Sequence, residues 1–166
     1  MPRKIKLDTA SEAATALIGI ATTLADYRLV HFINQNTGIK LVSAADLPSY
    51  NPKTDSLLYF PFFTCHYLDL RTDFCLIANF NGSNILIPSL KQINYFLLLQ
   101  GAANQQHIDT IIRSIRQIKG IQAVLAINQS GVTELTPLLE DLELHKLDMQ
   151  KKQEDQSDEL YGRQDE

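Results

Sequence analysis

Cysteine and histidine are the residues in this chain best suited to chemistry, and three of them surround one short segment. Cys65 and His66 are adjacent, and Cys75 follows. If the turn between them is centred on Leu70, the two cysteines face each other across a hairpin and could form a disulfide or share a metal ion. A zinc site needs four ligands, usually with two residues between paired cysteines, and that spacing is missing. We therefore predict two packed thiols and no metal site, because free cysteine behaves as a small buried hydrophobe.

The remaining candidate residues for catalysis do not form a recognisable pattern. The chain has no Gly-x-Ser-x-Gly elbow, no cysteine-protease context and no glycine-rich phosphate loop. Asp69 and Asp73 flank a predicted turn, where aspartate is expected to bond to local backbone. We predict no catalytic residue and no cofactor, and non-enzymatic function is favoured. Four histidines are scattered and are expected to be structural: His31, His66, His107 and His145.

Basic side chains on one predicted helix form a second candidate site. Arg113, Arg116 and Lys119 lie to one side of an isoleucine stripe. This face could contact an acidic partner or a nucleic-acid backbone, but every amphipathic helix needs a solvated face, and that interpretation is favoured. The net charge of −4 also argues against nucleic acid as the main partner, because neutralising phosphates requires clustered Lys and Arg.

The elements that must position these residues centre on residues 57–100. Short aromatic and branched-chain runs alternate there with turn residues, a pattern typical of a β-meander whose middle strands are apolar on both faces. Asn81-Gly82 is the strongest short hairpin signal. Leu58, Phe60 and Phe62 are predicted on one strand face, with Tyr59, Phe63, Cys65 and Tyr67 on the other. Pro61 cannot donate to a ladder and indicates an edge position or a bulge.

Helices are predicted before and after this meander in the sequence. One begins near Thr23, with capping-box spacing to Asp26, and ends at Gly38. Another begins after the N-cap Asn104 and ends at Gly120. A leucine stripe follows Pro137. Further strands are expected at residues 4–7, 16–21, 39–42 and 121–127, with a loop at residues 46–55.

These patterns predict an α+β fold: a single domain in which an antiparallel β-meander sheet packs against two to three helices. The domain is expected to span residues 1–149, and residues 150–166 are predicted to form a disordered acidic tail, because they hold too little apolar surface to offset chain entropy. The N-terminal residues lack the apolar region of a signal peptide, and the sequence lacks a long apolar run. A cytoplasmic location with reduced thiols is expected.

One segment resembles a known family. Ile87-Pro88-Ser89 is followed, after three residues, by Ile93-Asn94, and this looks like the region that names the IPExxVD family of small bacterial proteins. Ser89 stands where the name has Glu, Asn94 where it has Asp, and the name implies two intervening residues. The resemblance implies a cytoplasmic bacterial protein of unknown function. The alternative interpretation is a structural corner, because turn chemistry accounts for each polar residue.

Three functions follow from the sequence. The preferred one is a non-catalytic protein-interaction or adaptor domain, with another protein, or a second copy, as the partner. The first alternative is a small-molecule-binding or enzymatic domain, with the loop at residues 46–55 covering a pocket lined by Tyr59, Tyr67 and Tyr95. The weaker alternative is nucleic-acid binding through Arg113, Arg116 and Lys119. No membrane partner is expected.

Overall fold

The computed structural model describes residues 15–67, 72–101 and 104–162; the strand predicted at residues 4–7 lies outside them. The described chain folds as an α+β single domain, as predicted. The strands are β1 (Thr15–Thr22), β2 (Val42–Asn51), β3 (Ser56–Tyr67), β4 (Thr72–Ala78), β5 (Phe80–Asn81), β6 (Asn84–Ile85), β7 (Tyr95–Gly101) and β8 (Ile121–Ala126). The helices are α1 (Asp26–Thr37), α2 (Gln105–Arg116) and α3 (Leu135–Gly162), with 3-10 turns at Pro88–Leu90 and Gln129–Gly131.

Six strands form one antiparallel sheet in the order β2-β3-β4-β7-β1-β8, and β5 and β6 form a separate hairpin. Residues of α1 and α2 pack with Leu76 and Leu97 on one face, called here the α1/α2 face. Residues of α3 pack with Ile77 and Phe96 on the opposite α3 face. Strands β4 and β7 are thus buried on both sides, which confirms the prediction of two-sided apolar strands.

Pro61 occupies a place in β3 where its missing N–H costs no ladder bond. Strand β4 pairs with β3 from Phe62 onwards, so the stretch before Phe62 has β2 as its neighbour on one side. Opposite Pro61, the register of β2 shifts between Ala44 and Leu47. The proline therefore combines both predicted situations, a bulge in the partner strand and the end of pairing on the other side.

The prediction of a loop at residues 46–55 is wrong for its first part. Strand β2 continues to Asn51, and a turn then leads into β3 at Ser56. Pro48 and Asn51 are turn-forming residues, but pairing with β3 overrides that local preference. Pro48 is tolerated because β2 is an edge strand of the sheet. The strand predicted at residues 39–42 begins only at Val42.

Two of four predicted helix termini are confirmed, and the predicted end of α2 at Gly120 is wrong because the helix ends at Arg116. Gly38 ends α1 in the left-handed conformation, with φ of 78°. Asn104 caps α2, and its Oδ1 accepts a hydrogen bond from the backbone N–H of His107 at 2.8 Å. The predicted capping box of Thr23 and Asp26 is wrong. Helix α1 starts at Asp26, and Ala25 stands at the N-cap without a side-chain bond.

Helix α3 continues to Gly162, whereas the sequence predicts disorder from residue 150. Leucines of its first half are buried on the sheet and nucleate the helix. Lys, Gln and Glu, which are good helix formers, then extend it with exposed side chains. At about 1.5 Å per residue the second half projects past the sheet. Across the described residues, no helix combines the length and apolar character needed to span a membrane.

Candidate functional site

The two cysteines lie on opposite faces of the sheet. Cys65 pairs with Phe74, and Cys75 pairs with Thr64, so the register does not bring the thiols together. Cys65 packs against the α1/α2 core, and Cys75 is buried in the α3 core. Burial raises the pKa of the Cys75 thiol above its ordinary value, mainly because the thiolate would be desolvated. Both are free thiols, as expected from packed cysteines.

The histidines make separate contacts. His145 is buried, its Nε2 lies 2.8 Å from the carbonyl oxygen of Ala45, and its ring contacts Phe62 edge-on. His66 bonds instead to Asp73, the second residue of β4. Within residues 15–67, 72–101 and 104–162, no group of three or more His, Cys, Asp or Glu side chains could hold a metal ion.

The predicted basic face is only partly available for a ligand. Arg113 and Arg116 lie exposed in the last turn of α2, and Lys119 follows the end of the helix. The guanidinium of Arg116 donates from Nε and Nη2 to the carbonyl oxygen of Val124, at 3.1 and 2.8 Å. One of the three predicted cations therefore binds the protein's own backbone.

The three predicted tyrosines occupy different surroundings. Tyr95 is buried, and its hydroxyl donates to the carbonyl oxygen of Leu24 at 2.9 Å. Burial raises the pKa of Tyr95, and the nearby Asp26 carboxylate raises it further. Tyr59 lies two strands away on β3 and is half-exposed. Tyr67 ends β3, and its side chain lies outside the described part of the structure. Because residues 46–51 are a strand, they do not form a lid over these side chains.

The Ile87–Asn94 segment that carries the family resemblance is held by a buried asparagine. Asn79 is fully buried, and its Oδ1 accepts from the N–H of Ile87 at 2.8 Å. Its Nδ2 donates to the carbonyls of Leu90 and Ile93, at 3.1 and 2.8 Å. One amide thus satisfies three backbone groups of the segment, which is the arrangement of a structural corner.

The polar residues of this corner bond to distant parts of the chain. The Oδ1 of Asn94 accepts from the N–H of Thr22 at 2.9 Å, so Asn94 links β1 to β7 and does not cap local backbone as predicted. The hydroxyl of Ser89 donates to Oε2 of Glu134 at 2.6 Å. These bonds fix the corner against both β1 and the segment before α3.

An exposed apolar surface lies on the β2–β3 hairpin. Tyr50 pairs with Leu57, and Pro48 pairs with Tyr59, so all four side chains share the α1/α2 face. Neither helix covers this surface. The exposed fractions of Tyr50, Leu57 and Tyr59 are 56%, 53% and 50%. We call these four residues the aromatic hairpin patch.

The sequence predicts Tyr59 as a site residue, in a pocket with Tyr67 and Tyr95, but it does not predict Tyr50 or Leu57. The available signal was alternation: Tyr50 and Pro48 have one parity in β2, and Leu57 and Tyr59 have one parity in β3. The incorrect loop at residues 46–55 concealed that pattern. A side-chain hydrogen bond also fixes the patch, since the Nδ2 of Asn81 donates to the carbonyl oxygen of Tyr59 at 2.6 Å.

Comparison with known proteins finds no relative of this chain. No family model matches the chain, and neither a curated protein nor a solved structure is significantly similar to it.

Proposed function

We propose that this chain is a protein-interaction domain that binds an extended apolar segment of a partner protein at the aromatic hairpin patch. The observation that carries the proposal is the exposure of Tyr50, Leu57 and Tyr59 side by side on one sheet face. Tyrosine is enriched at protein interfaces because its ring supplies apolar area while its hydroxyl stays hydrated.

The backbone next to the patch supports an extended partner. Strand β3 pairs with β4 only from Phe62 onwards, so within the described residues no strand of the sheet pairs with Ser56 to Pro61 on that side, although the short strand β5 lies beside part of it. On this side, the carbonyl oxygen of Tyr59 already accepts a hydrogen bond from the side-chain amide of Asn81. An added strand gains main-chain hydrogen bonds there, while its alternate side chains rest on Leu57 and Tyr59 of β3.

The patch is held in one geometry before any partner arrives. The hydroxyl of Tyr50 donates to Oδ1 of Asp55 at 2.6 Å, and this bond raises the pKa of the phenol. Aromatic anchors with few rotatable bonds lose little entropy on binding. A cytoplasmic location is part of the proposal and is supported by two free cysteines, since reduced thiols are usual in that compartment.

Site-specific photocrosslinking in the native host tests this assignment. A photoreactive phenylalanine at Tyr59 is expected to capture a distinct partner, and the same group at Tyr27 is the matched control. Tyr27 is 69% exposed on α1 and lies outside the patch. Capture through a second crosslinking position, Tyr50, should be lost in Tyr59→Ser and retained in Tyr27→Ser.

Two outcomes contradict the proposal. Equal capture at Tyr27 and Tyr59 would mean that the patch has no specificity. Crosslinking of the purified protein to itself at Tyr59, with a matching dimer mass, would assign the patch to self-association and not to a different partner. Folding of each variant is checked by circular dichroism, since exposed substitutions normally change stability by less than about 0.5 kcal/mol.

A further inference from the structure

A groove separate from the aromatic hairpin patch runs between the sheet and α3. Its volume is about 590 Å³, which is within the usual range for small-molecule sites. Strand ends form one side, and about two turns of α3 form the other. The residues that line it are Val42, Ser43, Ala44, Ala45, Thr64, His66, Asp73, Lys146, Met149, Gln150, Lys152 and Gln153.

Among the described residues that line the groove, Asp73 brings the one carboxylate, and both of its oxygens are already engaged. Oδ1 of Asp73 bonds to Nδ1 of His66, and Oδ2 lies 3.7 Å from Nζ of Lys146. Lys146 also donates to Oε1 of Gln100. The negative charge of Asp73 is therefore balanced within the protein, which makes the groove unsuited to a cationic ligand.

Hydrogen-bond donors remain on the same cluster. The ammonium group of Lys146 has three N–H donors, and Gln100 accepts from one of them. Its 3.7 Å separation from Asp73 is an ion pair and not a hydrogen bond. Lys152 brings a second ammonium group to the lining. Two lysines against one balanced carboxylate give the groove a positive character, which favours an anion.

The remaining walls are apolar. Val42 is 61% exposed although it lies on a strand of the core sheet. Its cross-strand partner is Thr64, which places both on the α3 face beside the groove. Met149 packs at the edge of the α3 core and forms the opposite wall with its flexible thioether. A ligand that covers Val42 and Met149 needs an aliphatic body.

We propose that this groove binds a small aliphatic carboxylic acid. The carboxylate accepts a hydrogen bond from Nζ of Lys146, and the aliphatic chain lies along Val42, Ala44 and Met149. A single negative charge matches the donors, because arginine is the usual partner of a phosphate and none is among the described residues that line the groove.

Calorimetric titration with octanoate tests the site, with octanol and octylamine as probes of equal chain length. Octanoate is expected to bind at one site, and both other probes to bind at least about tenfold more weakly, the loss expected for one charge-assisted bond. Lys146→Met keeps the length of the side chain and should weaken octanoate about tenfold. Lys91→Met, at an exposed position outside the groove, should leave binding unchanged.

A second variant keeps the test valid if Lys146→Met is unstable. Val42→Asp places a carboxylate at an exposed wall position and should abolish octanoate binding without unfolding the protein. The proposal is overturned if octanoate fails to bind, if octanol binds equally well, or if Val42→Asp binds normally. The double variant Tyr50→Ser/Tyr59→Ser should bind octanoate like the wild type, which separates this site from the proposed protein interaction.

Discussion

Arg116 places its guanidinium on the carbonyl oxygen of Val124, through two hydrogen bonds of 3.1 and 2.8 Å. Val124 lies in β8, which among the described residues is an edge strand with β1 as its one partner. The sequence of β8, Ile-Gln-Ala-Val-Leu-Ala, has no charge and no proline. Such edges invite pairing with another chain unless something blocks them. Arg116 supplies a charged block at the middle of the strand.

Replacing Arg116 with alanine should therefore make the protein associate through β8. We expect a concentration-dependent rise in apparent mass for Arg116→Ala, measured by size-exclusion chromatography with light scattering. Arg113→Ala removes an exposed cation from the same helix turn and is the matched control. Identical elution of both variants and the wild type at all concentrations would contradict a protective role of Arg116.

Asn79 is the next test, because it carries three backbone bonds of one corner. Asn79→Ala removes the partner of the N–H of Ile87 and of the carbonyl of Ile93, while the carbonyl of Leu90 keeps its bond from the N–H of Ile93. We expect the free energy of unfolding to fall by about 3 kcal/mol, since each buried unsatisfied group costs about 1–3 kcal/mol. Urea unfolding measures it. Asn36→Ala, at an exposed site on α1, should cost less than about 0.5 kcal/mol, and an equal loss in both variants would show that the corner is not special.

His145 ties α3 to the irregular part of β2. Its Nε2 lies 2.8 Å from the carbonyl oxygen of Ala45, next to the bulge, and its ring contacts Phe62. His145→Ala should lower the free energy of unfolding by about 2 kcal/mol, through a lost bond and a cavity. His145→Gln should recover part of that loss because it keeps a donor. Leu144→Ala, on the exposed side of the same helix turn, is the control, and an equal loss there would contradict the anchoring role.

Alkaline pH should destabilise the fold through Cys75 and Tyr95. Burial raises the pKa of both side chains, so the folded state favours their protonated forms. Their contribution is fully present below the ordinary pKa, about 8.5 for Cys and about 10 for Tyr, and is lost as pH rises through the higher folded values.

Urea unfolding between pH 7 and pH 10.5 measures this dependence. Cys75→Ala should flatten the decline that begins near pH 8.5. Leu98→Ala creates a cavity in the same core without removing a titrating group, so its decline should parallel that of the wild type. A Cys75→Ala curve parallel to the wild type would assign the loss to other groups.

Local patterns predicted the elements that bury one clear stripe or two full faces. The isoleucine stripe of α2, the Asn104 cap and the Asn81-Gly82 turn were all readable, because each depends on residues close in sequence. The two-sided strands β4 and β7 were readable because continuous apolar runs occur only where both faces are covered.

Pairing between residues distant in sequence determined the features that local patterns did not predict. Pro48 and Asn51 suggested a loop, yet β3 provides a partner that keeps residues 46–51 extended. The relation between Cys65 and Cys75 depended on the register of one hairpin, and a register that pairs Cys65 with Phe74 puts the thiols on opposite faces. The aromatic hairpin patch and the groove depended on where the helices stop covering the sheet, which no local pattern encodes.

The position of β1 within the sheet has a consequence for the order of folding. Its two neighbours, β7 and β8, come from residues 95–101 and 121–126. During synthesis, β2, β3 and β4 can pair early because they are adjacent in sequence. Strand β1 cannot pair until β7 and β8 have been made. Closing so long a loop is slow relative to hairpin formation. Until the loop closes, β1 exposes apolar side chains of the kind that chaperones bind.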